Sequence, residues 1–161
     1  MNRLEFYNIS AEYVEYLRNF DSKVSHMKDS KKHRPFVGII LDVDGIRYFA
    51  PLSSPKEKHK NMKNKQDFIK IEDGKLGAIN FNNMIPVHIE CCKIIDTNNI
   101  QDFQYKTLLR NQLTWCNLNK EKLINLAHKL HRFIINNKVD EKLQCRCCDF
   151  RLLEEKCREY R

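Results

Sequence analysis

The chain has 161 residues, of which 42% are hydrophobic and 10% aromatic, and its formal net charge is +8. This composition excludes an intrinsically disordered chain and favours one globular domain, residues 1–161. No run approaches the roughly 18 apolar residues of a membrane-spanning helix, and no apolar signal segment follows Met1, so we expect a cytoplasmic protein. The excess of cations favours a polyanionic partner, most often a nucleic acid.

The first half of the sequence predicts short strands and one early helix. Leu4–Ile9 alternates as a strand, and Ser10 is placed to cap a helix that runs through Phe20. Asp44–Gly45 between two apolar runs predicts a β-hairpin. The strands of that hairpin and the shorter ones that follow are Phe36–Val43, Ile46–Leu52, Phe68–Ile71, Gly77–Phe81 and Ile85–Glu90. Pro86 marks the last of them as an edge strand or a bulge.

After Asp96 the apolar residues repeat at helical spacing. One predicted helix includes Tyr105 and Cys116, a second follows Asn119 as its cap, and a short third covers Leu152–Tyr160. Strands come first and helices later, without alternation of strand and helix. This order predicts an α+β protein with a compact, strongly twisted antiparallel sheet and surrounding helices.

The segment YFAPLSSPKEKH, residues 48–59, has the composition of a phosphate site. Adjacent hydroxyls at Ser53 and Ser54 lie between two prolines, and Lys56 and His59 follow. Hydroxyls and cations within one turn can donate to phosphate oxygens, although Pro51 and the second proline lack a backbone N–H. In a chain of this charge the phosphate is expected to belong to a nucleic acid.

Two basic segments flank this turn in sequence. Residues 23–34 carry five cations and two histidines beside one acid, and residues 56–65 carry five lysines beside one glutamate. Either run alone is typical of a solvated face, but together they favour an RNA-binding surface. The predicted RNA-binding residues are Lys23, Lys28, Lys31, Lys32, His33, Lys58, Lys60, Lys63 and Lys65. Tyr48, Phe49 and Phe68 are either core residues, which we favour, or stacking platforms for bases. A second RNA contact is expected at Lys106, Arg110, Lys120 and Lys122.

Cleavage of RNA needs no metal when the 2′-hydroxyl of RNA is the nucleophile. The enzyme must then move protons and stabilise the negative charge on phosphorus. The candidate catalytic residues are Ser54, Lys56, Ser53, Arg34 and His59. The serines would donate to phosphate, Lys56 would add positive charge, Arg34 would bind phosphate in a forked geometry, and His59 or His33 would carry protons. The alternatives are a plain turn serine, a surface lysine and a merely exposed histidine.

Metal chemistry is disfavoured, and we predict no cofactor and no metal site. The seven cysteines lack paired CxxC spacing and are expected to be reduced thiols. Asp42 and Asp44 could form a carboxylate pair, but Asp44 is better explained by turn chemistry. His88, His128 and His131 lie in apolar or helical contexts and are expected to be structural or exposed.

Six blocks of the sequence are informative together, and in chain order they are FYNIS, YVEYLRNFDSKV, RPFVGIIL, YFAPLSSPK, GAINFNNMIPV and CDFRLLEEKC. These blocks resemble the ToxN/AbiQ family of endoribonuclease toxins from type III toxin–antitoxin systems. They extend over essentially the whole chain, and the central block is the most specific to the family.

The resemblance implies a fold like that of the Kid/MazF toxins and a bacterial, cytoplasmic enzyme. It implies metal-independent cleavage that leaves 2′,3′-cyclic phosphate and 5′-hydroxyl ends on cellular or phage RNA. The implied partner is an RNA antitoxin, a pseudoknot cut from a repeat precursor, which inhibits the toxin in a toxin–RNA hetero-oligomer. By resemblance, Ser54 is the residue most needed for cleavage, with Ser53, Lys56, His59 and Arg34 at matching positions.

The sequence departs from the family at one point and leaves other functions open. Some relatives have an aromatic residue where this chain reads Asp29-Ser30-Lys31, so Ser30, Lys31 or His33 is expected to replace it. The main alternative function is a non-catalytic basic RNA-binding module. A DNA-binding repressor fits poorly, because no helix-turn-helix pattern carries the positive charge.

Overall fold

An antiparallel sheet and a set of helices make up the computed structural model, which describes residues 3–25 and 34–160. Over these residues the sheet has seven strands in the order β4-β5-β3-β2-β1-β7, with β6 also paired to β3. The strands are β1 Glu5–Ile9, β2 Phe36–Val43, β3 Ile46–Ser53, β4 Phe68–Lys70, β5 Ala78–Asn80, β6 Ile85–Pro86 and β7 Cys92–Ile94. The helices are α1 Ala11–Arg18, α2 Glu57–Asn61, α3 Phe103–Leu118, α4 Lys120–Ile135, α5 Glu141–Arg146 and α6 Phe150–Glu159. The prediction of an α+β protein with an antiparallel sheet is confirmed, and the sheet does not close into a barrel.

The hairpin between β2 and β3 forms where the sequence predicts it. Asp44 and Gly45 both have positive φ, 54° and 86°, which matches the twist of the flanking strands. The Asp42 carboxylate accepts a hydrogen bond of 2.9 Å from the Gly45 N–H. The interpretation of Asp44 as a turn residue is therefore confirmed, and Asp42 supports the same turn.

One of the two predicted helix caps is present in the structure, and the other is not. The Ser10 hydroxyl accepts from the Tyr13 N–H at 3.3 Å, as expected for the cap of α1. Asn119 does precede α4, but its side chain does not cap that helix. Its Nδ2 instead donates to the Trp115 carbonyl at 2.9 Å, so this side chain bonds the end of α3.

The region after β5 contains the largest errors of the sequence prediction. The run Ile85–Glu90 is a strand only at Ile85–Pro86, because proline has no N–H for a further ladder bond. It continues into a 3₁₀ turn, and the short β7 then pairs with β1. Helix α5 was not predicted. The last helix begins two residues earlier than expected, at Phe150, where the Asp149 carboxylate accepts from the Leu152 N–H.

No helix within residues 3–25 and 34–160 has the length and apolar character needed to cross a membrane.

All seven cysteines lie within these residues and are free thiols, as predicted. Burial raises the pKa of Cys116 and of Cys147 to about 12, so both are uncharged core groups.

A buried polar network ties β3 to α4 and α6. The Tyr48 hydroxyl donates to Glu154 Oε2 at 2.5 Å, and His131 Nε2 lies 2.6 Å from the same oxygen. Burial alone would raise the pKa of Glu154, but the hydrogen bonds from His131 and Tyr48 outweigh it and hold that pKa below its ordinary value. The carboxylate therefore joins three elements of the core, and Tyr48 and Phe49 are core residues, fully buried as favoured above.

We expect replacement of Glu154 by glutamine to lower the free energy of unfolding by about 1–3 kcal/mol at neutral pH, because charge-assisted hydrogen bonds are lost. Since the folded pKa of Glu154 is depressed, its stabilisation is present above the unfolded pKa and lost as the pH falls through the folded pKa. Urea unfolding from pH 7 to acid should therefore show a shallower pH dependence in Glu154→Gln. The neighbouring exposed Glu155→Gln is the control, and equal pH slopes in wild type and Glu154→Gln would contradict this account.

Candidate active site

The two serines and Lys56 form an exposed turn where β3 ends and α2 begins. Ser53 is the last residue of β3, and Lys56 immediately precedes the first residue of α2. Ser54, Pro55 and Lys56 are exposed, whereas residues 48–52 of β3 are buried. We call residues 53–56 the hydroxyl turn. Strand β3 is hydrogen-bonded to β2 on one side and to β5 on the other, and it leads from the core to this turn at the surface.

The Ser53 hydroxyl is held in place by a strand neighbour. Ser53 pairs with Ala78 of β5, and Asn80 Nδ2 donates to Ser53 Oγ at 2.7 Å. A hydroxyl that accepts one hydrogen bond still has its own proton to donate. Ser53 is therefore a fixed group that can donate a hydrogen bond.

The Ser54 hydroxyl is available to a ligand. Its side chain makes no hydrogen bond to any residue of the ranges 3–25 and 34–160, and it lies at the surface. The Lys56 ammonium is exposed in the same way, and no carboxylate of these ranges pairs with it. The turn therefore offers one hydroxyl and one cation to solvent.

The loop between β4 and β5 packs closely against both ends of the segment from Ser53 to His59. Gly77 has φ +101°, and a Cβ there would lie 2.1 Å from the Ser53 carbonyl oxygen. Gly74 has φ +93°, and a Cβ there would lie 3.0 Å from the His59 carbonyl oxygen. Gln112 of α3 donates to the Leu76 carbonyl at 2.8 Å. Only glycine permits this approach, so the loop fixes the backbone of the hydroxyl turn.

Arg34 lies two residues before β2, the strand that pairs with β3 next to the hydroxyl turn. Phe36 of β2 pairs with Pro51 of β3, and the Leu52 N–H donates to the Pro35 carbonyl at 3.0 Å. This register places Arg34 opposite Ser53. That Arg34 belongs to the same site as the serines stays a prediction, and this strand pairing supports it.

The Arg34 guanidinium is half-buried, and burial lowers its pKa, although it remains a cation. Its Nη1 donates to Ser25 Oγ at 3.4 Å, and no carboxylate of residues 3–25 or 34–160 pairs with it. A desolvated cation is stabilised by an anion. The position beside Ser53 is therefore suited to a phosphate.

His59 is buried, which the sequence analysis did not predict. It is 1% exposed, so the alternative of a merely exposed histidine is wrong, whereas a role as proton carrier stays a prediction. Its Nδ1 accepts from the Lys56 N–H at 3.2 Å, which is the histidine form of a capping-box contact. Burial, followed by the charges of Lys56 and Lys58, lowers the pKa of His59, so the neutral ring is favoured. The geometry makes it a support of the turn.

His59 is buried beside Phe68, because the ring centroids lie 6.0 Å apart. Phe68 is itself buried, so the core interpretation holds for this aromatic residue as well. The sequence around His59 is polar and gives no sign of this packing, because the apolar neighbour Phe68 lies on β4.

The predicted RNA-binding lysines fall into three groups. Lys58, Lys60, Lys63 and Lys65 are exposed along α2 and the segment after it. Lys23 is also exposed but lines a different cavity, beside Cys147 and Arg151. Lys28, Lys31, Lys32 and His33 lie outside the described residues, as does Ser30.

The sheet aligns two polar residues, Lys70 and Asn80, with Ser53, and the sequence analysis did not identify either of them. The pairing of Lys70 with Ala78, and of Ala78 with Ser53, puts Lys70 in register with the hydroxyl turn. Asn80 lies two residues beyond Ala78 on the same face. A polar residue at each strand end was the signal in the sequence, but only the strand pairing shows that Asn80 contacts Ser53 and that Lys70 lies in the same row of the sheet.

The remaining histidines are structural or exposed, as predicted. His88 Nε2 bonds the Cys157 carbonyl, His131 belongs to the Glu154 network, and His128 is exposed. Across residues 3–25 and 34–160, no group of three or more His, Cys, Asp or Glu is arranged to hold a metal ion. Metal independence itself stays a prediction.

The sequence is similar to known toxins along nearly its whole length. Residues 5–158 match the family described as toxin ToxN of type III toxin–antitoxin systems. Endoribonuclease ToxN of Bacillus thuringiensis subsp. kurstaki is 36% identical, covering 98% of this chain and 84% of the relative. Endoribonuclease ToxN of Pectobacterium atrosepticum is 34% identical, covering 98% and 94%. Endoribonuclease AbiQ of Lactococcus lactis subsp. lactis is 32% identical, covering 98% and 89%.

Solved structures agree with these relatives. A type III toxin that is inhibited by a non-coding RNA pseudoknot has a TM-score of 0.85 and 35% identity, covering 99% of this chain and 98% of that one. The anti-phage endoribonuclease AbiQ has a TM-score of 0.86 and 28% identity, with the same coverage. The family match and the relatives show that this chain belongs to the ToxN family of toxins from type III toxin–antitoxin systems.

Proposed function

We propose that this protein is an endoribonuclease toxin that cuts RNA without a metal ion and leaves 2′,3′-cyclic phosphate and 5′-hydroxyl ends. The relatives named above are endoribonucleases, and one neighbouring structure concerns inhibition of the toxin by an RNA pseudoknot. The observation that carries the proposal is the hydroxyl turn, with exposed Ser54 and Lys56 beside the half-buried Arg34.

In the proposed reaction the 2′-oxygen forms a bond to phosphorus while the bond from phosphorus to the 5′-oxygen breaks. The 2′-hydroxyl loses its proton, and the leaving oxygen gains one. Arg34 holds the phosphate against the strand ends, and Ser53 and Ser54 donate to its oxygens. The Lys56 ammonium stabilises the additional negative charge in the transition state.

The proposed cellular role uses the same site. We propose that the protein cuts cellular or phage RNA in the bacterial cytoplasm and processes its own repeat RNA precursor. The resulting pseudoknot would cover the hydroxyl turn as an antitoxin in a toxin–RNA hetero-oligomer. The exposed lysines 58, 60, 63 and 65 lie next to this turn in the chain and would track the RNA backbone.

Replacement of Ser54 by alanine should lower the cleavage rate of single-stranded RNA by at least about 100-fold, because a group acting at the reacting phosphate is lost. RNA binding should change little, since the lysines remain. The measurement is single-turnover cleavage of a labelled RNA, with Ser22→Ala as a control at another exposed serine. Growth arrest on expression should disappear with Ser54→Ala alone. Unchanged cleavage and growth arrest would contradict the proposal and leave a basic RNA-binding module.

Replacement of His59 by glutamine should keep the cleavage rate near that of wild type, because glutamine at this position can accept from the Lys56 N–H. His59→Ala should lose this contact, about 1 kcal/mol of stability and part of the rate. The measurement is the pH–rate profile together with thermal unfolding of both variants. A loss of about 100-fold in His59→Gln would show instead that His59 carries a proton in the reaction.

Replacement of Gly77 by alanine should lower both stability and the cleavage rate. The new Cβ would meet the Ser53 carbonyl at 2.1 Å and must displace the backbone of the hydroxyl turn. Gly45→Ala is the matched control, since it also introduces a side chain at positive φ but meets nothing within 4 Å. We expect Gly77→Ala to cost about 1–3 kcal/mol more than the control in urea unfolding. Equal stability and equal cleavage in the two variants would show that the close approach of Gly77 does not fix the backbone of the hydroxyl turn.

A further inference from the structure

A groove on the outer face of α4 has the composition of a pocket for a nucleobase. Its volume is about 320 Å³, and Leu126, Leu130 and Phe133 form the apolar part of its lining. Leu130 is buried, whereas Leu126 and Phe133 are half-exposed at the groove. An aromatic ring beside aliphatic side chains offers a flat, sequence-tolerant surface on which a base can stack.

Polar groups of the right kinds surround this apolar surface. Gln66 supplies a side-chain amide, which can bond the edge of a base as donor and acceptor. Lys122 and Lys129 also line the groove, and neither pairs with a carboxylate of residues 3–25 or 34–160. They lie two helical turns apart, about 10.5 Å along the axis. Both ammonium groups are therefore free to meet phosphates that flank a base.

The groove adjoins the basic segment that leaves the hydroxyl turn. Gln66 directly follows Lys65, the last lysine of that segment. The next residue, Asp67, is buried and receives two hydrogen bonds from Arg146, at 2.9 and 3.0 Å. This bidentate pair fixes the chain where it enters β4 and so fixes the position of Gln66 at the groove.

We propose that this groove binds one unstacked base of a single-stranded RNA segment, with Lys122 and Lys129 contacting its flanking phosphates. The proposal rests on the proposed function, because it assumes that RNA is the ligand. Charge decides against a second copy of this chain, since a symmetric contact through the groove would bring the lysines of both copies together. An RNA strand supplies a base that can stack on Phe133 and phosphates that can meet Lys122 and Lys129.

The test measures binding of the full-length protein to a short oligonucleotide that is 2′-O-methylated at every position and so cannot be cut. A series of such oligonucleotides carries an abasic site at each position in turn. Fluorescence anisotropy compares wild type with Phe133→Leu and Lys129→Gln. The controls are Phe103→Leu, at an aromatic residue that is 76% exposed on α3, and Lys142→Gln on α5.

We expect Phe133→Leu to weaken binding about tenfold and Lys129→Gln to weaken it less, with no change in either control. One abasic site should weaken binding to wild type but not to Phe133→Leu. The proposal is overturned if all abasic sites affect both proteins equally, or if neither variant changes the Kd. It is also overturned if wild type, but not Phe133→Leu, dimerises without RNA in sedimentation. Lys129 is exposed, so its variant tests the groove even if Phe133→Leu fails to fold. Since cleavage is not measured, a groove that binds RNA would stand even if Ser54→Ala showed the proposed reaction to be wrong.

Discussion

The site depends on the pairing of β3 with β2 on one side and β5 on the other. This register places Arg34, Ser53 and Ala78 in line at one end of the sheet, with Lys70 continuing the line on β4. Tyr48 of the same strand donates a hydrogen bond to Glu154, so the core fixes the position of the strand that ends in the hydroxyl turn. A slip of one residue would send Ser53 to the other face and separate these groups.

Packing around the turn and charge within it act together. The loop with Gly74 and Gly77 fixes the backbone from both ends, and His59 accepts a hydrogen bond from Lys56 under that loop. The backbone is therefore fixed before a ligand binds. Electrostatic catalysis is most effective when the charged groups are already in position and need not rearrange during the reaction. In the proposed reaction, Lys56 and Arg34 act as cations on this fixed backbone, and we propose that the exposed lysines nearby attract RNA over a broader area.

The sequence was informative where the structural signal is local. Asp44–Gly45 predicts the hairpin because both residues tolerate the positive φ of the turn, and the SSPK block predicts the exposed hydroxyls. It failed where a residue depends on distant partners. His59 lies in a polar run, and the residues that pack against it include Phe68 and Gly74, which are distant in the sequence. The strand β7 was missed because its pairing is with β1, and Lys70 was missed because register aligns it with Ser53.

The central claim is that the hydroxyl turn cuts RNA by attack of the 2′-hydroxyl, without a metal ion. The most direct measurement is mass spectrometry of the products formed from a short RNA in excess chelator. The account predicts undiminished cleavage, with a 2′,3′-cyclic phosphate on one fragment and a 5′-hydroxyl on the other. Cleavage that stops in chelator, or products that end in 3′-hydroxyl and 5′-phosphate, would contradict it.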